Sequence, residues 1–189
     1  MLLVKVEKRS RALYNRAKGG AATKKVIILG CPGAGKSTFA RRLRDLTGLP
    51  LYYLDQIWHK PDRTTVSRPE FDAALGKILA TDTWIIDGNY KRTVERRLAA
   101  CDTAFLLDYP VEVCLSGVAQ RVGQVREEMP WTEAELDPEL VQYIRDFAAE
   151  QLPHDYALLE RYGQGREIVI FHSREEADAW LRLYEAGKA

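Results

Sequence analysis

The stretch Gly30-Cys-Pro-Gly-Ala-Gly-Lys-Ser37 constrains this chain more than any other. Glycines at 30, 33 and 35 let the backbone curl through conformations that other residues resist, so that successive N–H groups face a single point. A loop of that kind needs a strand leading in and a helix leading out. Both are written beside it: Val26 to Leu29 is a short β-branched apolar run, and Lys36 to Leu46 repeats apolar residues at helical spacing. Leu51 to Leu54, Trp84 to Ile86, Ala104 to Leu107 and Ile168 to Phe171 are four further short apolar runs separated by helical stretches. Such alternation predicts an α/β fold around a parallel sheet of five strands.

At 189 residues the chain suits one domain, placed at about 25–187. With 46% hydrophobic and 29% charged residues it has an ordinary globular composition, which excludes wholesale disorder. The apolar runs are strand-length, far short of the roughly 20 residues of a membrane span. Cys31, Cys101 and Cys114 form an odd set with no C-x-x-C pair, so a disulfide framework or zinc knuckle is not expected and a reducing, cytoplasmic setting is. No secretory leader is read at the N-terminus. Capping boxes at Ser67-Arg-Pro-Glu70 and Ser173-Arg-Glu-Glu176 mark two helix starts. From Val111 to Gly163 helical patterns, broken at Gly123, Pro130, Pro138 and Pro153, suggest a helical lid.

Charge is unevenly spread. Residues 1–25 carry eight Lys or Arg against one Glu, which leaves the body net acidic although the whole chain is near neutral at +1. Residues 1–24 read as a basic arm, jointed at Gly19-Gly20. Such an arm is either a flexible tail or a nucleic-acid contact made by counterion release, and the second reading requires DNA affinity that falls steeply with salt and disappears with the arm.

The glycine loop matches G-x-x-x-x-G-K-[ST] in full. Gly30, Cys31, Pro32, Gly33, Ala34, Gly35, Lys36, Ser37 and Thr38 therefore form a phosphate cradle at a helix N-terminus. Lys36 suits the β and γ phosphates of ATP, and Ser37 offers a hydroxyl to Mg²⁺. Cys31 sits where a helix N-terminus lowers a thiol pKa, which raises the idea of redox sensing. Asp87 and Asp108 each end an apolar run, at the strand edge where α/β sheets bind ligands, and compete for the metal-associated role.

Gly30-Cys-Pro-Gly-Ala-Gly-Lys-Ser-Thr38, Gly48-Leu-Pro50, Leu54-Asp55, Trp58, Trp84-Ile-Ile-Asp-Gly-Asn-Tyr90 and Leu107-Asp-Tyr-Pro110 together resemble the DNA topology modulation protein group of adenylate-kinase-like P-loop proteins, over roughly Lys25 to Leu183. The resemblance implies a nucleoside-monophosphate-kinase architecture with strand order 2-3-1-4-5, a mobile acceptor region and a lid at about 111–163. It also implies an ATP-dependent kinase that moves the γ-phosphoryl group to a nucleotide or other small acceptor; the alternative is an ATP-binding regulator that touches DNA through the basic arm. Asp87 is favoured as the metal-associated carboxylate, beside Ser37. Asp55 follows the second strand, as an acceptor base or an acceptor-binding group. Trp58, Gly88, Asn89, Tyr90, Arg92 and Arg97 complete the implied acceptor site, with Arg96 an extra cation. Arg121 and Arg126 are the lid cations, in a segment less basic than the resemblance leads one to expect.

Overall fold

The protein is described here by a computed structural model covering residues 23–187. The basic arm therefore lies outside the described residues, except for Thr23 and Lys24. In chain order the elements are β1 (Lys25–Gly30), α1 (Lys36–Thr47), β2 (Leu51–Tyr53), α2 (Leu54–Trp58), α3 (Arg68–Leu79), β3 (Trp84–Asp87), α4 (Lys91–Ala100), β4 (Thr103–Leu107), α5 (Val111–Gln120), α6 (Pro138–Glu150), α7 (Leu152–Tyr162), β5 (Glu167–Phe171) and α8 (Arg174–Ala186). All strands are parallel, in the order β2-β3-β1-β4-β5.

Central position explains the composition of β1. It is hydrogen-bonded to β3 on one edge and to β4 on the other, and helices cover both faces, so Val26 to Leu29 are all fully buried. The strand's two-residue period divides them. Val26 and Ile28 join one core with Phe39 of α1, Phe105, Phe171 and Trp180 of α8, whose rings pack at centroid distances of 4.9–6.3 Å. Ile27 and Leu29 join the other, with Phe71 and Leu75 of α3, Val94 and Leu98 of α4, and Leu158 of α7.

Three local expectations need adjusting. The second strand is shorter than its apolar run: β2 pairs with β3 over Leu51–Tyr53, and Leu54 already opens α2. Ser67 forms the full reciprocal box with Glu70, whereas at α8 Ser173 caps Glu176 but the Glu176 carboxylate accepts instead from the His172 N–H, at 2.8 Å. In the 111–163 region α5, α6 and α7 are helical, and α5 and α6 lend Gln120 and Tyr143 to the cleft, but the stretch 121–137 that lines most of it from this region is neither helix nor strand. α5 ends at Gln120, and past its cap Gly123, at φ 75°, turns the chain, its N–H donating to the Glu133 carbonyl at 2.8 Å to close the loop on itself.

Candidate active site

A cleft of about 1270 Å³ opens beside the carboxyl ends of the strands and is lined by the glycine loop, the β3–α4 turn, α2 and the 121–137 loop. The glycines have distinct reasons to be there. Gly30 has φ 140°, and a Cβ on it would lie 2.5 Å from the Leu107 carbonyl oxygen. Gly33 has φ 81° and is pressed on α5, where a Cβ would meet the Cys114 carbonyl oxygen at 2.0 Å. The loop is therefore clamped between β4 and α5, with Pro32 to Thr38 lining the cleft. Lys36 Nζ donates to the carbonyls of Gly30 at 2.9 Å and Cys31 at 3.1 Å, which holds the ammonium across the loop.

Ser37 Oγ donates to Asp87 Oδ2 at 2.6 Å. Asp87 is 4% exposed, and its Oδ1 has no hydrogen-bond partner among the described residues. Burial pushes its carboxyl up to about 6, with Lys36 and the Ser37 hydroxyl opposing the rise. A hydroxyl and a carboxylate with a spare oxygen are hard donors of the kind Mg²⁺ takes. No group of three or more His, Cys, Asp or Glu side chains among the described residues could hold an ion by itself, so a cation here would share its shell with phosphate oxygens and water. Asp108 faces elsewhere: its Oδ2 accepts from the Tyr156 hydroxyl at 2.7 Å and lies 3.3 Å from His172 Nδ1.

On the acceptor side, the Tyr90 hydroxyl donates to Asp55 Oδ1 at 2.8 Å, and both residues line the cleft. Burial first, then the Asp55 carboxylate, raises the Tyr90 phenol far above its ordinary value, so it stays a donor. Tyr90 caps α4 in a left-handed conformation, φ 35°, uncommon for a residue with a ring. Asn89 spends its amide on Gly30, accepting from the N–H at 3.2 Å and donating to the carbonyl at 2.8 Å. The end of β3 is thereby fixed to the entrance of the phosphate loop.

Several of the expected acceptor residues are placed otherwise. Arg97 is fully buried and does not reach the cleft; it donates to the Gly88 carbonyl at 2.7 Å, to the Asn89 carbonyl and, at 3.5 Å, to the Tyr90 carbonyl. Its guanidinium is the internal strut of the 88–90 turn, and burial brings its pKa down to about 10. Arg92 makes a bidentate pair with Asp72 of α3 at 2.6 and 2.8 Å, outside the cleft. Trp58 packs edge-on to Phe71 and Tyr90 behind the cleft wall, at 5.5 and 6.2 Å. Gly88, at φ 134°, does line the cleft, packed where a Cβ would come 2.9 Å from Leu54 Cβ. Arg96 lies over α3, its Nη1 donating to the Asp72 carbonyl.

Arg121 and Arg126 both line the cleft, and neither stands alone. Arg126 Nη1 reaches Glu128 at 3.1 Å and Nη2 reaches Glu133 at 2.9 Å, while Arg121 Nε lies 3.3 Å from Glu133. Arg41 of α1 meets the other Glu128 oxygen at 3.0 Å. Sequence reading missed Arg41, Glu128 and Glu133. The available signal was the interleaving of both charges over 121–133, a pattern of paired groups, and Arg41 lying one helical turn past Ser37. Cys31 is 4% exposed and not a low-pKa thiol: the adjoining Cys114 thiol and burial raise it, which removes the basis for a reactive thiolate.

No protein-family model matches the chain. Adenylate kinases from Thermotoga petrophila and Thermotoga maritima are each 33% identical over 88 residues, covering 45% of this chain and 39% of those proteins. The chain thus matches well under half the length of these curated relatives. Among solved structures, shikimate kinase from Acinetobacter baumannii in complex with shikimate superposes with a TM-score of 0.56 at 18% identity, over 95% of this chain and 98% of that one. Shikimate kinase from Bacteroides thetaiotaomicron gives 0.53 at 17%, over 89% and 100%. With its sheet order, glycine loop and cleft, the chain has the P-loop kinase fold shared by adenylate and shikimate kinases.

Proposed function

We propose that this protein is an ATP-dependent kinase that transfers the γ-phosphoryl group to a small acceptor. The observation that carries the reading is the Ser37–Asp87 pair at the glycine loop opening on the same cleft as the Asp55–Tyr90 pair. Gly30 to Thr38 would hold the triphosphate, with Lys36 leaving its loop carbonyls for the β and γ oxygens. Ser37 and Asp87 would hold Mg²⁺, which neutralises charge on the transferring group when bound. Asp55, oriented by Tyr90, would take the acceptor proton as the acceptor oxygen bonds to the γ-phosphorus and the bond to the β-phosphate oxygen breaks. The products are ADP, a phosphorylated acceptor and one proton. Arg121 and Arg126 would meet the charge that builds on the equatorial oxygens.

An acceptor that presents a hydroxyl to Asp55 is supported by the Asp55–Tyr90 pair on the cleft wall; Arg92 and Arg97 stand outside the cleft, so any acceptor phosphate would fall to other lining cations such as Arg63. The narrower likeness, to the DNA topology modulation group, rests on the phosphate loop and the Asp-Gly-Asn-Tyr turn, and fold membership does not establish activity on DNA. A cytoplasmic setting belongs to the same reading, supported by three free, buried cysteines. The test is coupled ADP release with Mg-ATP across nucleoside monophosphates, nucleosides and small hydroxy acids. Lys36→Ala should abolish acceptor-stimulated release without altering the far-UV spectrum. Undiminished turnover in that variant sinks the mechanism.

A further inference from the structure

Glu128 belongs to the 121–137 loop yet is 8% exposed, a burial that carboxylates reach only with partners. Its two oxygens serve two different elements. Oε2 accepts from Arg41 Nη1 at 3.0 Å and Oε1 from Arg126 Nη1 at 3.1 Å. Arg41 stands on the helix that begins with Lys36 and Ser37, so one carboxylate ties the loop to the phosphate-binding helix. Burial works to raise the Glu128 carboxyl, but a backbone hydrogen bond and the Arg126 and Arg41 guanidinia outweigh it and leave the group ionised.

Glu133 extends the chain of charge to Arg121, but its pairs with Arg121 Nε and Arg126 Nη2 are not aligned as hydrogen bonds. Arg121 Nε and Arg126 Nε and Nη2 therefore remain as buried donors without a hydrogen-bond partner among the described residues, on side chains 24% and 10% exposed. Three guanidinia against two carboxylates leave one net positive charge beside the glycine loop. Buried donors left over in an otherwise paired cluster are suited to the oxygens of a phosphoryl group. A carboxylate that bridges two guanidinia through one hydrogen bond to each fixes where the two charged ends sit relative to one another, which backbone packing cannot do for so long a side chain. Trp131 packs edge-on to His59 at 4.9 Å and Leu136 rests on the core, while the loop's polar ties through Glu127, from Arg44 to its carboxylate at 2.9 Å and from Gln56 to its carbonyl, are exposed and correspondingly weaker than that of Glu128.

We infer that Glu128 is a positioning residue for phosphoryl transfer: it docks the 121–137 loop on α1 and sets the Arg126 and Arg41 guanidinia over the phosphate loop. The inference rests on the kinase reading above and separates from it in the laboratory. Removing the negative charge makes the cluster more positive, so ground-state attraction for the triphosphate does not fall, while the orientation that favours the transition state is lost.

The experiment compares wild type, Glu128→Gln and Glu128→Asp in two readouts. Amide exchange across 121–137 should quicken about tenfold or more in Glu128→Gln, with exchange in β1 and β4 unchanged, and Glu128→Asp should fall between. In steady-state turnover Glu128→Gln should lose about tenfold or more in kcat with no rise in KM for ATP, and Glu128→Asp should recover part of the loss. Unchanged loop exchange overturns the docking role; a loss carried by KM overturns the positioning role. Wild type without any Mg-ATP turnover overturns the kinase reading and the positioning role with it, while the exchange result still decides whether Glu128 docks the loop.

Discussion

Replacing Arg97 with methionine decides between two meanings of a cation in this fold. The side chain is fully buried, and its guanidinium supplies the hydrogen bonds described above to the carbonyls of Gly88 and Asn89. Methionine fills much of the same volume but donates nothing, so both carbonyls lose a charged donor inside the protein. Each group stranded in this way costs about 1–3 kcal/mol. The Asp155 carboxylate, 1% exposed and the largest charge favouring the Arg97 cation, also loses that compensation. Relief from burying a guanidinium offsets part of this. A net loss of about 3 kcal/mol is expected, equivalent to a fall in Tm of about 6–12 °C for a domain of this size. Thermal unfolding followed by circular dichroism reads it directly, and acceptor KM measured well below the new Tm should change little. A variant that melts with wild type while acceptor KM climbs tenfold would refute the strut and return Arg97 to the acceptor site.

Three further substitutions test the phosphate loop and its surroundings. In the metal-free protein Asp87 has its carboxyl raised from 3.8 to about 6, so the native state holds the proton more tightly than the unfolded chain does. The resulting stability is fully present below about pH 4 and is lost as pH rises through 6; the unfolding free energy of wild type relative to Asp87→Asn should fall by about 3 kcal/mol across that window and then level off, and a flat difference would exclude the burial account. Gly33→Ala should cost more than about 2 kcal/mol and remove nucleotide binding, because φ is +81° and the new Cβ meets the Cys114 carbonyl oxygen at 2.0 Å, whereas Gly48→Ala, at φ +72° with open space around it, should show the backbone strain of about 1 kcal/mol alone. Equal losses in the two variants, measured by chemical denaturation, would show that the loop's clamping against α5 has no energetic weight.

Those glycines illustrate what the sequence makes legible. The match at 30–37 announces a strand, a nest and a helix in succession, because the backbone conformations it demands are closed to other residues. Short apolar runs locate the strands to within a residue or so, since a strand covered on both faces can scarcely be polar. Strand order is a different matter. Nothing in the periodicity of β3 records that it lies beside β1 and β2 rather than at an edge, and the order entered through resemblance. The 121–137 loop was legible as a break between helices, but its conformation depends on partners distant in sequence: Glu128 is fixed by Arg41, which precedes it by 87 residues.

Helix α4 shows why the acceptor side was harder to read than the phosphate side. Spacing states correctly that Arg92 and Arg96 share one side of the helix, and it does not say which side faces the cleft. That is set by the β3–α4 turn, where Tyr90 adopts φ 35° and brings Thr93, Val94, Arg97 and Leu98 inward together. Arg97 is one residue from Leu98 and three from Val94, so it shares the apolar stripe of its own helix. A lone cation on such a stripe must find buried acceptors or be expelled. The backbone carbonyls of the 88–90 turn were the acceptors within reach, and because a guanidinium presents a fixed fork of donors, one side chain could bind successive carbonyls of the turn. An arginine on the apolar stripe of its own helix therefore belongs to the architecture of the turn it braces, and the place of Arg97 after Asp87-Gly-Asn-Tyr90 is explained by the carbonyls of that turn rather than by a ligand.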